Sequence, residues 1–243
     1  MEKSPVPLIV GVTGASGAIY AVRTIGALLE LGCRLEIIFS EYGRRLLVDE
    51  LGTDAKVDRL QELLVARYGD VVRRGTFRIH GNRDLGASLA SGSHPCQGMV
   101  VVPCSMKTLA GVAHGLSRNL MERAADVMLK ERRRLVLVPR ETPMSLPELR
   151  NMVACAEAGA MVLPAMPAFY QQPKTIDDLA SFLAGKILNA LGFDQQLFPP
   201  WKGEGRSGVP ALRQAQGALS DKSKGASAVG GAAGAKPPGS NSE

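Results

Sequence analysis

The sequence predicts a doubly wound α/β domain, a parallel sheet with helices on both faces. Two observations carry that expectation. Short runs that are apolar almost throughout alternate with longer amphipathic segments, and strands read this way when both faces of their sheet are covered. Glycines 32, 52, 69, 115, 159 and 192 each follow one of the amphipathic segments, where a left-handed residue ends a helix.

The elements follow in order. LIVGVT, Leu8 to Thr13, is the first strand, and a helical pattern runs from Ala18 to Leu31 after a glycine-rich bend. Arg34 to Phe39 is the second strand, with helical patterns near Tyr42 to Leu51 and Val57 to Tyr68. Phe77 to His80 and Gly98 to Val102 are the third and fourth strands, ahead of helices near Lys107 to Ala113 and Asn119 to Arg132. Leu135 to Val138 precedes a helix from Pro147 to Ala158, and Met161 to Leu163 precedes one from Ile176 to Leu191. This is the order of a single-domain Rossmann-like or flavodoxin-like sheet, whose ligands sit beyond the carboxyl ends of the strands. The domain is expected to span residues 1–202. Residues 203–243 shift to Gly, Ala, Ser and Pro without apolar periodicity, and a disordered tail is expected there.

Composition narrows the function. No apolar run approaches the roughly 20 residues of a membrane-spanning helix, and the N-terminus lacks a signal-peptide core, so no membrane association and a cytoplasmic location are expected. Cys33, Cys96, Cys104 and Cys155 stand singly, with no zinc spacing and only 3 histidines in the chain, so reduced thiols and no metal are expected. The net charge of +6 accompanies only 5% aromatic residues, and the densest basic run, KERRR at 130–134, ends a helical segment, where cations suit the helix dipole and solvent. Small anionic ligands account for the excess, and nucleic acid is not expected.

The strand ends carry the candidate chemistry. Glycines 11, 14 and 17 read GxxGxxG, not the dinucleotide GxGxxG, and the second strand ends in Ser40 where a nicotinamide enzyme carries an acidic residue. A YxxxK pair exists at Tyr170 and Lys174, but Pro173 between them breaks the helix that such a pair needs, which argues against a short-chain dehydrogenase. The fourth strand ends in PCSMKT ahead of a helix start, where backbone N–H groups favour anions. The fifth ends at Arg140 and Glu141, the sixth in a loop with Tyr170, and ASGS at 90–93 lies in a preceding loop. Cys104 reads as a small buried residue with no base beside it.

TGASGA at 13–18, ASGS at 90–93, PCSMKTL at 103–109, NLMERAADVMLKERRRLVLVPRE at 119–141 and FYQQP at 169–173 together resemble the flavin prenyltransferases of the UbiX type, from about residue 8 to Trp201. The resemblance implies an enzyme that binds reduced FMN as a substrate and joins to its N5 and C6 the dimethylallyl group of dimethylallyl phosphate. The product, prenylated FMN, passes to decarboxylases of the UbiD type. It also implies a metal-free homo-oligomer, a dodecamer, with sites between subunits. Matching positions assign FMN binding to Gly14, Ala15, Ser16, Ser40, Ser105, Met106, Lys107, Thr108 and Arg140. They assign the prenyl phosphate to Tyr170 and Lys186, with Arg123, Lys130, Arg140 and Glu50 as further pocket members. Ser16 and Glu141 would manage protons near N5, and Trp201 would offer an aromatic face to the prenyl group. Catalytic roles thus fall to Ser16, Glu50, Arg123, Lys130 and Glu141. Read without the resemblance, Lys130 and Lys186 are ordinary solvated lysines on amphipathic helices, and Glu50 near a helix C-terminus has no evident task. Two other readings stand beside this one. An FMN-dependent decarboxylase of the peptidyl-cysteine or phosphopantothenoylcysteine type would show PASANT and PxMNxxM, where this chain has PCSMKT and PAMPAFY. A flavin carrier would not need the charged set.

Overall fold

The computed structural model describes residues 6–199; Trp201 and the expected tail lie outside them. The described residues form six strands, β1 (Leu8–Val12), β2 (Arg34–Phe39), β3 (Thr76–Gly81), β4 (Gly98–Cys104), β5 (Arg134–Pro139) and β6 (Met161–Val162). Seven α-helices accompany them: α1 (Ala18–Glu30), α2 (Glu41–Leu51), α3 (Leu60–Tyr68), α4 (Met106–Ala113), α5 (Leu120–Lys130), α6 (Leu146–Glu157) and α7 (Ile176–Leu191). All neighbouring strands pair in parallel, in the order β3-β2-β1-β4-β5-β6. The order reverses between β1 and β4, so the chain leaves these adjacent strands in opposite directions and opens a crevice beyond their carboxyl ends.

Side-chain alternation along the central strand separates two cores. Leu8, Val10 and Val12 pack with residues of α1, α3 and α7, while Ile9 faces α4, α5 and Cys155 of α6. The helices start on local caps. Asn119 accepts from the Glu122 N–H at 3.0 Å to open α5, and Thr175 and Asp178 form a capping box on α7. At the other end of α7, Gly192 takes φ 87°, the left-handed conformation that the sequence pattern anticipates. No described helix is long and apolar enough to cross a membrane.

Three departures from the expected elements have local causes. The helix expected from Val57 opens as a 3-10 turn over Val57–Arg59 and becomes α-helical only at Leu60, where Arg59 offers no side-chain cap. β4 continues past Pro103 to Cys104 with a register irregularity after Val101, an interruption at which a strand tolerates proline. The basic run is only partly solvated. Arg133 donates to the carbonyls of Gly92 at 2.7 Å and His94 at 2.8 Å, and Arg134 donates to the carbonyl of Leu191. Two of its cations therefore pin loops of their own chain.

Candidate active site at the carboxyl edge of the sheet

Thr13 joins the two strands that flank the crevice. Its Oγ1 donates to the Pro103 carbonyl at 2.7 Å and accepts from the Ser105 N–H at 2.8 Å, so the TGASGA loop is fixed against the start of α4. Ser105 caps α4, accepting from the Thr108 N–H at 3.3 Å and donating to Thr108 Oγ1 at 3.1 Å. Ser40 caps α2 in the same way through the Gly43 N–H at 3.0 Å. The backbones approach so closely that a Cβ on Gly14 would lie 2.3 Å from the Tyr42 Cβ, and one on Gly43 would lie 2.5 Å from the Val12 carbonyl oxygen. What remains is a cavity of about 220 Å³ lined by Gly14, Ser40, Asn82, Ser105, Lys107 and Thr108 among others, with one acid, Glu122, whose carboxylate accepts from the Arg118 N–H at 2.9 Å. Two serine-capped helix starts and a lysine suit it to an anion and to the hydrogen-bonding edge of a ring.

A second cavity, of about 500 Å³, adjoins the same loop and is lined by Ser16, Tyr20, Glu50, Arg67, Arg140 and Ile176 among others. Glu50 reaches from the last turn of α2 to the start of α1. Its carboxylate accepts from the Gly17 N–H at 2.9 Å and the Ala18 N–H at 2.7 Å. Arg140 Nε donates to the Ser16 carbonyl at 3.1 Å, which holds the guanidinium over the loop. Burial raises the Tyr20 phenol above its ordinary pKa; the Arg140 charge opposes that shift and the Glu50 charge adds to it. Arg140 also walls a third cavity of about 290 Å³, which holds Glu141, Met144 and Met166. Glu141 accepts from the Thr142 N–H at 3.1 Å there. Ser16 and Glu141 thus line different cavities that share one arginine.

Tyr170 and Lys186 meet on one aromatic ring. Tyr170 approaches Phe182 edge-on, with centroids 5.8 Å apart, and Lys186 Nζ stands 5.7 Å from the centroids of both Phe182 and Phe198. The segment carrying Tyr170 and Lys174 is not helical, as Pro173 requires, so the YxxxK arrangement does not form.

Several expected site residues are placed differently. Arg123 and Lys130 lie on α5, across the sheet from α7 and Lys186. Arg123 donates to the Ala90 carbonyl at 3.0 Å and to Asp126 at 2.6 Å, and Lys130 pairs with Glu131. A single chain therefore does not bring these two cations to Tyr170 and Lys186. Met106 is buried, its side chain in the core with α5, so only its backbone at the start of α4 is offered to a ligand. Cys104 is fully buried and its thiol is pushed up strongly by desolvation, in keeping with a packing role. Among the described residues no group of three or more His, Cys, Asp or Glu is arranged to hold a metal ion. Thr13, Tyr20 and Arg67 escaped the sequence reading. Thr13 stands at the head of TGASGA and was visible as a strand-end hydroxyl, whereas Tyr20 and Arg67 look like ordinary members of amphipathic helices.

The Flavoprotein family model matches residues 1–188. The flavin prenyltransferase UbiX of Alkalihalophilus pseudofirmus is 47% identical over 194 residues, which cover 80% of this chain and 95% of the relative. The crystal structure of AnUbiX (PadA1) in complex with FMN and dimethylallyl pyrophosphate superposes with a TM-score of 0.73 at 37% identity, covering 82% of this chain and 99% of that one. A dodecameric FMN-dependent UbiX-like decarboxylase from Escherichia coli O157:H7 superposes with a TM-score of 0.70, also at 37% identity, over 82% of this chain and all of its own. Matched by that family model over residues 1–188 and 47% identical to a UbiX relative over most of both chains, the chain belongs to the flavoprotein family and, within it, to the UbiX flavin prenyltransferases.

Proposed function

We propose that this protein joins the dimethylallyl group of dimethylallyl phosphate to N5 and C6 of reduced FMN, and that the prenylated FMN serves a UbiD-type decarboxylase. The observation that carries the reading is the pair of unlike cavities on one loop. Gly14 lines a polar one with Lys107 and two helix starts, and Ser16 lines one that mixes apolar walls with Arg140 and Arg67. The first fits the anionic and ring-edge parts of a flavin nucleotide, because Lys107, the hydroxyls of Ser40, Ser105 and Thr108 and the amide of Asn82 line it at two helix starts. The second fits a short apolar group that carries a phosphate.

Bound reduced flavin would supply the nucleophilic N5 and C6: the prenyl C–O bond breaks with its electron pair on phosphate as the N5–C bond forms, and the prenyl C=C opens and takes up a proton as the C6–C bond forms. N5 and C6 each give up a proton, one of which is matched by the proton on the former alkene and the other by the proton on phosphate, for a net gain of C5H8. The chain's own task is to hold and to discharge. Arg140, fixed by the Ser16 carbonyl, keeps a cation at the boundary of two cavities without rearrangement. Such preorganised donors are worth roughly 10²- to 10³-fold in rate when negative charge collects on a leaving group. Lys186 and Tyr170, gathered on Phe182, add an ammonium and a phenol for the departing phosphate. Glu141 beside Arg140 is the proton carrier, with the Ser16 hydroxyl on the other side of the arginine.

Arg123 and Lys130 enter the site from neighbouring subunits of a homo-oligomer, a dodecamer like the E. coli relative, and the location is cytoplasmic. Anaerobic incubation with reduced FMN and dimethylallyl phosphate, followed by mass spectrometry of the released flavin, tests the reading. A gain of C5H8 is expected; unchanged FMN would point to a carrier or to a decarboxylase.

A further inference from the structure

Glu122 of α5 is the one acid that lines the cavity of Gly14 and Lys107, and it is only 4% exposed. Other buried charges of the domain are matched by a charge. Glu36 meets His80 at 2.6 Å and Arg34 at 3.2 Å, and Arg23 meets Glu30 at 2.8 Å. Glu122 has no ion pair among the described residues. Its Oε2 accepts from the Arg118 N–H at 2.9 Å, which leaves Oε1 to be satisfied. A buried carboxylate is costly until donors reach both of its oxygens. Room for it is kept by Gly111 of α4, where a Cβ would lie 2.8 Å from the Glu122 carboxyl carbon.

The start of α5 is unlike the two serine-capped starts at the same cavity. Its Leu120 and Met121 N–H groups donate to the Asn82 carbonyl at 2.9 Å and to Asn82 Oδ1 at 3.0 Å, and the Glu122 N–H donates to Asn119 Oδ1 at 3.0 Å. With those donors spent and a carboxylate beside them, this wall disfavours phosphate, which is left to Lys107 and the starts of α2 and α4. An ionised carboxylate only accepts hydrogen bonds, so Glu122 calls for a hydroxyl or an N–H. In a flavin mononucleotide the groups next to the phosphate are the hydroxyls of the ribityl chain. Phosphate at the serine-capped starts therefore brings hydroxyl donors into the cavity that Glu122 lines.

We propose that Glu122 is a specificity-determining residue for the flavin: its carboxylate accepts a hydrogen bond from a ribityl hydroxyl, so that the cavity reads the polyol chain as well as the phosphate. The assignment rests on the reading of this cavity as the flavin-nucleotide site.

The test titrates FMN and riboflavin, which has the ribityl chain without the phosphate, into the wild-type protein and Glu122→Gln by flavin fluorescence. Inorganic phosphate is then measured by its displacement of FMN. Glutamine is chosen because its carbonyl can still take the Arg118 N–H while the charge is lost. Glu122→Gln is expected to weaken FMN and riboflavin by the same factor, about 10-fold, the scale of a lost charge-assisted hydrogen bond. Phosphate is expected to bind both proteins alike. Weaker phosphate binding in the variant would make Glu122 a structural support of the site and overturn the proposal. A loss confined to FMN would place its action on the phosphate, and tighter FMN binding would make it a repelling charge; either result overturns the proposal. A wild-type protein that binds no FMN would remove the flavin reading itself, whereas FMN binding that is unchanged in Glu122→Gln removes Glu122 alone.

Discussion

Glu50 caps helix α1 at Ala18: its Oε2 accepts from the Ala18 N–H at 2.7 Å and from the Gly17 N–H at 2.9 Å. In its own helix the carboxylate sits in the last turn, where the dipole disfavours it; at the start of α1 the dipole favours it. It occupies the place that a nucleotide phosphate takes in doubly wound dinucleotide folds. The phosphate of a flavin must then be held elsewhere, and the polar cavity of Gly14, Ser40 and the α4 start is the site provided. The ambiguous GxxGxxG spacing has a structural reading here: the helix after it receives an anion from its own chain.

Replacing Glu50 by Ala frees those N–H groups. A lost cap costs about 1 kcal/mol, so the midpoint of urea unfolding is expected to fall modestly. The more telling measurement is stabilisation by inorganic phosphate, which is expected to be larger for Glu50→Ala than for the wild type. Equal stabilisation of the two proteins would mean that the start of α1 is not an anion site even when vacated.

Glu141→Gln is expected to retain FMN and to slow prenylation. The amide keeps the shape and the acceptor that takes the Thr142 N–H, yet cannot exchange a proton. Flavin occupancy measured by absorbance, beside single-turnover rates, separates the two effects. Full occupancy with wild-type turnover removes Glu141 from proton transfer.

A pH effect follows from the cap of α7, the helix that carries Phe182 and Lys186. Backbone N–H groups of Lys174 and Thr175 donate to Asp178 at 2.9 Å, and these bonds hold its carboxyl below the ordinary value of 3.8. Because the folded pKa is the lower one, the stabilisation is complete above the unfolded value near 3.8 and is lost as pH falls through the folded pKa. Asp178→Asn is expected to flatten this acid limb. Denaturant melts at neutral pH and near pH 3 decide it: the wild-type advantage over the variant must shrink at the lower pH.

Much of the fold was legible because its signals are local. Apolar runs bounded by glycine gave each strand to within about two residues, and PCSMKT gave the capped start of α4. Illegible were the contacts between distant backbone and side chain. Nothing in the residues near Glu50 says that its carboxylate meets N–H groups 32 and 33 positions away, since a free N–H has no sequence signature. Arg133 and Arg134 look like solvated cations in a row, and only the return of the loop at Gly92 and of the end of α7 turns them into struts. Arg67 and Tyr20 were hidden for a related reason: amphipathic periodicity tells which face of a helix is buried, and is silent on which rim residue overlooks a cavity.

The separation of Lys130 from Lys186 makes the last prediction. The two residues stand on helices packed against opposite faces of the sheet, Lys130 with the α4 and α5 core and Lys186 with the α1 and α7 core. If both serve one prenyl phosphate, they must come from different copies of the chain, joined head to tail around a closed ring of contacts. Lys186→Ala alone is expected to weaken dimethylallyl phosphate about 10- to 100-fold, the loss of a contact worth about 1.5 to 3 kcal/mol, with little change for FMN, because Lys186 does not line the polar cavity. Lys130→Ala is expected to do the same. Co-assembly of the two variants separates shared from private sites. In a mixed oligomer some sites draw Lys130 from the Lys186 variant and Lys186 from the Lys130 variant, and random mixing gives about a quarter of sites with both cations. Prenylation is then expected to recover to that order. Mixed oligomers no more active than either parent, with mixing verified by native mass spectrometry, would place each site within a single chain and would return Lys130 to the solvent-exposed face of α5.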